Sequence, residues 1–354
     1  MKPIILVTYP DDFAMEEATS LVESADRTVL KVYTQKYLNH SKYGIGAGKA
    51  EEITEFVQES KAEQVIVDEH LTSKQIHNLE KLTGVQVIDR ERLILDIFYS
   101  RATTNEAKLQ IQLAEVQYEM PRVREMAKLL SGDERPGKGG SGEYTVDVKF
   151  RDLKRRMGFI RAKLREAESK RQLYQQQRAR TGTPIVSLVG YTSAGKTTLF
   201  NLLTQEQKET SASLFTTLST TTRSAKLDEQ TGVLMTDTVG FISRLPTYMI
   251  DAFKSTLEES LHADLILLLV DCSENLDEIR IKYHSCLNVL KELHADESKI
   301  QVVLTKQDRA ENQPADQVAS MLGLQDPVIL SSKSGYGLRK LKNTIRERLK
   351  AVRQ

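Results

Sequence analysis

The chain has 354 residues, of which 40% are apolar and 28% are charged, and its formal net charge is +1. This composition is typical of a soluble globular protein, and its two cysteines exclude a disulfide framework. Its longest apolar run, at 265–270, is far too short for a membrane span, so we expect a cytoplasmic protein.

Charge is distributed unevenly along the chain. Residues 1–100 carry 11 basic and 17 acidic side chains, whereas residues 147–180 carry 12 basic and 4 acidic ones. Clustered lysine and arginine are typical of a contact with an anionic polymer, although a solvated helix face has the same composition. Charge alone therefore leaves both interpretations open.

The first hundred residues alternate β-branched runs with amphipathic segments. The runs predict strands at 4–8, 28–32, 64–68 and 85–88, and the segments predict helices at 11–25, 49–60 and 73–82. This alternation predicts a small parallel α/β domain over residues 1–100. A glycine-rich segment at 44–49 lacks the spacing of a phosphate loop, so we expect a tight turn into a helix there.

Residues 101–180 carry two apolar stripes at helical spacing, one over 109–130 and the other over 153–174. Two such stripes can bury each other, which predicts an antiparallel helical hairpin. Five glycines and one proline between them predict a loop at 131–142. The basic residues opposite the second stripe are Lys154, Arg155, Arg161 and Arg165.

The remaining residues, 181–354, predict a third domain of the α/β class. Continuous apolar runs predict buried parallel strands at 184–189, 233–237, 265–271, 300–304 and 328–330. Helical segments separate most of these runs, and 338–352 predicts a closing amphipathic helix. The order predicts a P-loop domain with a doubly wound, mostly parallel sheet.

A phosphate-binding loop follows the first of these strands and opens a helix predicted at 198–203. In this context backbone N–H groups point at phosphates, Lys196 reaches the β- and γ-phosphates, and the Thr197 hydroxyl binds Mg²⁺. The residues of the loop are Gly190, Tyr191, Thr192, Ser193, Ala194, Gly195, Lys196 and Thr197.

A second motif, Asp237, Thr238, Val239 and Gly240, ends the strand predicted at 233–237. Asp237 is expected to hold Mg²⁺ through a water molecule, and Gly240 to offer its N–H to the γ-phosphate. Many GTPases carry a glutamine at the next position to orient the attacking water. Phe241 stands there and cannot do so, which predicts slow turnover by the isolated chain.

Two later motifs predict that the base is guanine. The residues after the strand at 300–304 are Thr305, Lys306, Gln307 and Asp308. The Asp308 carboxylate can accept from guanine N1–H and from its exocyclic amine, a pairing that adenine lacks. Thr305 stands where asparagine is usual. The loop expected over guanine O6 consists of Ser331, Ser332 and Lys333.

A threonine-rich segment, 215–223, lies between the first two motifs. A threonine in this position binds Mg²⁺ only while the γ-phosphate is present, so the loop orders with GTP. Spacing does not select which threonine does so. The alternative interpretation is a strand edge over 220–223.

Taken together, these residues resemble the HflX family of ribosome-associated GTPases. The resemblance is carried by GYTSAGKTTLFNLLT, LFTTLSTTTR, LMTDTVGFISRLPTYMIDAFKSTLEESLHADLILLLVD and VIDRERLILDIFYSRATTNEAKLQIQLAEVQYEMPRVREM. It implies hydrolysis of GTP to GDP and phosphate on the large ribosomal subunit, with a role in translation, ribosome splitting or rescue, or biogenesis. We also expect a monomer.

The resemblance also implies roles for residues that spacing leaves undecided. Thr217 takes the switch role and binds Mg²⁺ with Thr197, and the implied catalytic residues are Lys196, Thr217 and Gly240. The residues implied to line the nucleotide are Phe215, Thr216, Thr217, Leu218 and Ser219. Ser193 departs from the family's usual asparagine, and Gly-Ser-Gly-Glu at 140–143 from its Gly-Pro-Gly-Glu loop. The end of the chain soon after 352 is typical of a short, archaeal-type member.

Two other functions fit some of these features. A regulatory GTPase switch would bind a protein partner through the acidic residues 1–100 instead of a ribosome. An ATPase or RNA-remodelling enzyme would also use a P-loop, although Asp308 disfavours adenine. The basic segment 147–180 favours the ribosomal interpretation, because contacts with RNA phosphates need clustered Lys and Arg.

Overall fold

The computed structural model of the protein describes residues 1–133, 141–206, 214–215, 221–252, 262–310 and 314–352. These residues form two compact units. The N-terminal unit comprises Met1–Ser100 and Lys108–Arg165, and the C-terminal unit comprises Arg101–Ala107 and Glu166–Gln354. Within the described ranges, no helix has the length and apolarity that a membrane crossing requires.

The N-terminal unit contains a four-stranded sheet with strand order β2-β1-β3-β4. Its strands are β1 (Lys2–Thr8), β2 (Arg27–Thr34), β3 (Gln64–Val67) and β4 (Gln86–Asp89). Its crossover helices are α1 (Asp12–Ser24), α2 (Ala47–Glu59) and α3 (Ser73–Thr83). All strand pairs are parallel, which confirms the predicted small α/β sheet.

Side-chain caps explain where two of these helices begin. Asp11 precedes α1 and accepts a hydrogen bond from the backbone N–H of Ala14, while Thr72 and Gln75 form a reciprocal capping box on α3. The glycine-rich segment at 44–49 leads into α2, for which Gly46 is the N-cap. This placement agrees with the predicted turn into a helix.

Helix α4 (Arg90–Arg101) is an element that periodicity did not predict. Its buried apolar side chains include three consecutive residues, so they surround much of the helix instead of forming one stripe. They are Leu93, Ile94, Leu95, Ile97 and Phe98. A helix buried on several faces gives no clear 3.6-residue signal in the sequence.

A buried ion triad joins α4 to α1 and to the end of β3. The Arg90 guanidinium lies 2.5 Å from Asp68 Oδ1 and 2.6 Å from Glu17 Oε2, and none of the three side chains is more than 4% exposed. The two carboxylates raise the pKa of Arg90 against the lowering effect of burial. Arg90 therefore supplies a buried countercharge to both carboxylates.

Replacing Arg90 by methionine is expected to destabilise the N-terminal unit by about 3–5 kcal/mol, because the two carboxylates would remain buried without their countercharge. Amide hydrogen exchange of β1 and β3 in the full chain measures this loss. Arg92→Met is the control, since the Arg92 side chain is 33% exposed and its ion pairs contribute less than about 1 kcal/mol. Equal exchange rates in the two variants would contradict the prediction.

The predicted helical hairpin consists of α5 (Asn105–Asp133) and α6 (Ser141–Thr181). The two stripes pack on each other through a shared apolar cluster whose buried members are Leu113, Val116, Val123, Leu153 and Ile160. The loop predicted at 131–142 is too long at both ends, since 131–133 belong to α5 and 141–142 to α6, and residues 134–140 lie outside the described residues.

Helix α5 is fastened to the sheet of the same unit through Asp89. This fully buried carboxylate accepts from Tyr118 Oη at 3.0 Å and from Arg122 Nη2 at 2.6 Å. Burial raises the pKa of Asp89, and the Arg122 guanidinium opposes that shift. In the structure, residues 1–100 and 108–165 form one compact unit. A separate domain that ends at residue 100 stays a prediction.

The C-terminal unit contains a six-stranded sheet with strand order β10-β9-β8-β5-β7-β6. Its strands are β5 (Ile185–Gly190), β6 (Thr221–Lys226), β7 (Gly232–Asp237), β8 (Leu265–Asp271), β9 (Ile300–Thr305) and β10 (Val328–Ile329). Its helices include α7 (Lys196–Thr204), α8 (Leu276–Glu292), α9 (Ala315–Met321) and α10 (Leu338–Val352).

The sheet is parallel except for β6, which pairs antiparallel with β7 at the edge. This confirms the predicted doubly wound, mostly parallel sheet. It also confirms the strand-edge alternative for 221–223, while residue 220 lies outside the described residues. Strand β5 occupies an interior position between β8 and β7, so the loop that follows it opens at the middle of the sheet edge.

Candidate nucleotide-binding site

The predicted phosphate loop runs from the end of β5 to the start of α7. Gly190 ends the strand, and a Cβ there would lie 2.5 Å from the Leu269 carbonyl oxygen of the neighbouring strand. A side chain at this position would therefore collide with backbone. The loop returns at Gly195, which has a left-handed backbone and leads into α7. The backbone thus has the form that presents N–H groups to an anion.

The Lys196 amine lies inside this loop. Its Nζ donates to the carbonyl oxygens of Tyr191 at 2.6 Å and Gly190 at 3.1 Å, and the residue is 7% exposed. Burial lowers the pKa of Lys196 to about 8, against the opposing attraction of Asp237. A buried ammonium whose partners are neutral carbonyl groups is a strong candidate for binding an anionic ligand.

Thr197 and Asp237 come together at the opening of the loop. Thr197 Oγ1 donates to Asp237 Oδ2 at 3.2 Å, and Asp237 is fully buried at the end of β7. A hydroxyl and a carboxylate oxygen at this separation are the hard donors that Mg²⁺ prefers, so the donor set fits that ion. The position of Thr217, the third predicted participant, lies outside the described residues.

Gly240 brings the second motif against the phosphate loop. A Cβ on Gly240 would lie 2.7 Å from Thr192 Cγ2 and 3.0 Å from Lys196 Nζ. The backbone can therefore approach the loop only because this residue has no side chain. Within the same motif, the Thr238 hydroxyl donates to the Leu188 carbonyl at 2.7 Å and anchors the segment on β5.

Phe241 has a structural role that the sequence did not reveal. This residue is 2% exposed. Its backbone is hydrogen-bonded to the phosphate loop: the Phe241 carbonyl accepts from the Thr192 N–H at 2.8 Å, and the Phe241 N–H donates to the Gly190 carbonyl at 3.1 Å. Truncating a buried phenylalanine costs about 3–5 kcal/mol. An alanine at position 241 would therefore disturb the loop itself. Its effect on turnover would not report only the absence of a water-orienting glutamine.

Two contacts of the Tyr191 side chain, which the motifs did not predict, hold the same loops. The Tyr191 hydroxyl accepts from the backbone N–H of Ser243 at 2.6 Å, so a P-loop side chain secures the segment after Gly240. Lys282 Nζ lies 5.5 Å from the centre of the Tyr191 ring and pairs with Glu274 at 2.6 Å. Both contacts of Tyr191 join residues that are far apart in sequence, and their spacing carries no motif.

The third motif lies at the end of β9, next to the phosphate loop. Thr305 Oγ1 is 2.9 Å from the Ala194 carbonyl and 3.2 Å from the Val270 carbonyl, and the residue is 2% exposed. The threonine in place of asparagine thus connects β9 to the loop and to β8. Lys306 Nζ pairs with Asp271 Oδ2 at 2.5 Å, an acid that the motif search did not identify.

The Asp308 carboxylate is held from one side and open on the other. Ser331 Oγ donates to its Oδ1 at 2.6 Å, which brings the third and fourth motifs together. That hydrogen bond lowers the pKa of Asp308, and the aspartate is exposed. Lys333 is also exposed, while Ser332 is half-buried. An ionised, oriented carboxylate at this place can accept from two N–H groups of one base edge.

The remaining predicted site residues have these outcomes. Phe215 is 2% exposed with a φ of 57°, and Ser193 has a φ of 63°. Val239 is buried and Gln307 is half-buried; the Gln307 N–H donates to the Leu330 carbonyl at 3.2 Å. The residues that lie outside the described part of the chain are Thr216, Thr217, Leu218 and Ser219.

Three family models match successive parts of the chain. They are described as the N-terminal part of GTP-binding GTPases over residues 12–99, the middle region of the same proteins over 101–178, and a 50S ribosome-binding GTPase over 185–306.

Relatives named GTPase HflX resemble the chain over most of its length. The protein of Thermococcus kodakarensis is 40% identical over 90% of this chain and 74% of its own length. That of Methanocaldococcus jannaschii is 40% identical over 96% and 84%, and that of Escherichia coli 36% identical over 95% and 79%.

Solved structures of GTP-binding proteins share the fold. The GDP complex of a protein named SsGBP has a TM-score of 0.57 at 26% identity, with 99% of both chains covered. A GTP-binding protein of Sulfolobus solfataricus in complex with GDP has a TM-score of 0.53 at 25% identity, with 99% of this chain and all of that chain covered.

Proposed function

The chain belongs to the HflX family of GTPases, and from that premise we propose that it hydrolyses GTP on the large ribosomal subunit. The observation that carries the ribosomal part is an exposed basic surface on α6. Lys154, Arg155, Arg161 and Arg165 are all exposed on this helix, outside the residues that pack on α5. A surface of this charge suits the phosphates of rRNA.

The nucleotide would be held by the residues gathered at the sheet edge. Lys196 would exchange its two carbonyl contacts for the β- and γ-phosphates, and the Gly240 N–H would donate to the γ-phosphate. Asp308, oriented by Ser331, would accept from guanine. Thr217 is proposed to act with Thr197, and the remaining members of the predicted site line the nucleotide.

Thr197 would bind Mg²⁺ directly and Asp237 through water. When bound, that ion neutralises charge that develops on the β- and γ-phosphate oxygens. The chain's own contribution is to position the phosphates and to exclude bulk water from the buried loop. With the Phe241 ring buried, no side chain at that position orients the attacking water, which supports slow turnover by the free protein.

Large ribosomal subunits are expected to raise the GTPase rate at least tenfold, equivalent to about 1.4 kcal/mol of barrier. The reason is that rRNA bound at the basic surface would order the hydrolytic site that the free chain leaves incomplete. The stimulation should decline steeply with salt, because contacts with phosphates release counterions. Phosphate release is measured with and without subunits across a salt series.

Two triple variants, each of which reverses three positive charges, test whether α6 is the ribosome contact. Changing Arg155, Arg161 and Arg165 to Glu should remove the stimulation and leave basal turnover intact. The control changes three exposed basic residues of the C-terminal unit, Arg280, Lys291 and Arg339, to Glu. Equal stimulation of the two triple variants would mean that α6 is not the ribosome contact. Absence of any stimulation in the parent would favour a switch with a protein partner.

A further inference from the structure

A groove opens between α4, α5 and α6, entirely within the N-terminal unit. Its cavity volume is about 490 Å³. Helix α4 contributes Tyr99 to its lining, α5 contributes Gln112 and Glu115, and α6 contributes Arg156. This volume is within the range of pockets that hold a small ligand or a single nucleotide unit. None of these residues belongs to the nucleotide site of the C-terminal unit.

The charges of the groove are arranged to leave one cation available. Arg27 and Arg92 also line it, and both hold the Asp96 carboxylate, at 2.6 Å and 2.9 Å. Arg92 additionally approaches Glu115 at 3.7 Å. Arg156 is exposed and, among the residues that the structure describes, makes no ion pair or hydrogen bond. The acids are thus occupied, and Arg156 can bind a phosphate.

Two exposed aromatic rings accompany this cation. Tyr99 and Phe159 are each 62% exposed. On α6, Phe159 follows Arg156 by three residues and precedes Lys163 by four, so the three side chains share one flank over about 10 Å of helix. Exposed aromatic rings beside exposed cations are typical of platforms on which bases stack.

We propose that this groove binds an unpaired nucleotide of an RNA. The base stacks on Tyr99 with its edge facing the polar atoms of Gln112 and Glu115, and Arg156 binds the adjoining phosphate. A neighbouring base stacks on Phe159, next to Lys163. The inference rests on the proposed contact with ribosomal RNA and specifies its chemistry. Bases inside an RNA duplex have their faces covered, so single-stranded nucleotides are selected.

The first test measures binding of the full chain to a short single-stranded RNA, and to the same RNA annealed to its complement. Tyr99→Ala and Phe159→Ala should each weaken single-strand binding by about tenfold, whereas Tyr99→Phe should retain it. Tyr37→Ala is the matched control, since Tyr37 is 59% exposed on the same unit but lies outside the groove. Equal affinity of Tyr99→Ala and Tyr37→Ala would overturn the proposal.

A spectroscopic readout reports stacking directly. The chain contains no tryptophan, so Tyr99→Trp introduces the only indole. Its fluorescence should be quenched on addition of the single strand and unaffected by the duplex. Quenching of the same size by polyglutamate would show an acidic polypeptide in the groove and would overturn the RNA assignment.

Sedimentation with large ribosomal subunits separates this inference from the proposed function. If the parent and Tyr99→Ala bind subunits equally, the groove is not the contact and only the inference fails. If the parent binds the single strand through Tyr99 but does not bind subunits, the ribosomal function fails and the groove remains an RNA site. Loss of subunit binding in Tyr99→Ala alone, with Tyr37→Ala unaffected, supports both.

Discussion

Replacing Lys196 by alanine is expected to weaken the binding of GTP by about a hundredfold or more. The amine is buried inside the phosphate loop, and removing one member of a buried charge contact costs about 2–5 kcal/mol. Equilibrium binding of a fluorescent GTP analogue measures the loss. Lys291→Met is the control, because that lysine is exposed in the last turn of α8 and belongs to none of the nucleotide motifs.

In the parent protein, the burial of Lys196 should also make GTP binding depend on pH. Burial lowers the pKa of Lys196 to about 8 in the nucleotide-free chain, and a bound triphosphate would stabilise the protonated amine. Above that pH, binding must take up a proton, so the affinity for GTP should decrease as pH rises from about 8. An affinity that stays constant between pH 7.5 and about 9 would contradict the lowered pKa of Lys196.

The second large effect is expected from Asp308→Asn, which should favour xanthosine triphosphate over GTP by about a hundredfold or more. The oxygen of the introduced amide can keep the hydrogen bond from the Ser331 hydroxyl, and this orientation leaves the amide NH₂ group facing the base. That group meets N–H donors on guanine but can donate to the additional carbonyl of xanthine. Competition between the two nucleotides measures the preference.

Ser331→Ala provides the matched comparison for this substitution. It removes the hydroxyl that orients Asp308 but keeps the carboxylate, so GTP should bind about tenfold more weakly with no change of preference. A variant Asp308→Asn that binds GTP like the parent would remove Asp308 from the guanine site. A change of preference in Ser331→Ala would indicate that the loop, and not the carboxylate, selects the base.

The sequence by itself determined the parallel sheets and the order of the nucleotide motifs. Buried parallel strands are apolar throughout, so β8 was predicted with the bounds that the structure has, as was α10 with its single apolar stripe. Each motif follows such a strand, and the carboxyl ends of parallel strands share one edge of a sheet. The sequence alone therefore assigns Lys196, Asp237 and Asp308 to one edge of the sheet.

Only the tertiary structure decided the contacts between residues distant in sequence. Thr305 reaches Ala194 across 111 positions, and Glu17 pairs with Arg90 across 73. The groove beside Arg156 likewise forms only where α4, α5, α6 and the start of β2 lie next to one another. The physical reason is that periodicity and motif spacing record local backbone geometry, whereas an ion pair or a stacking platform depends on which surfaces pack together.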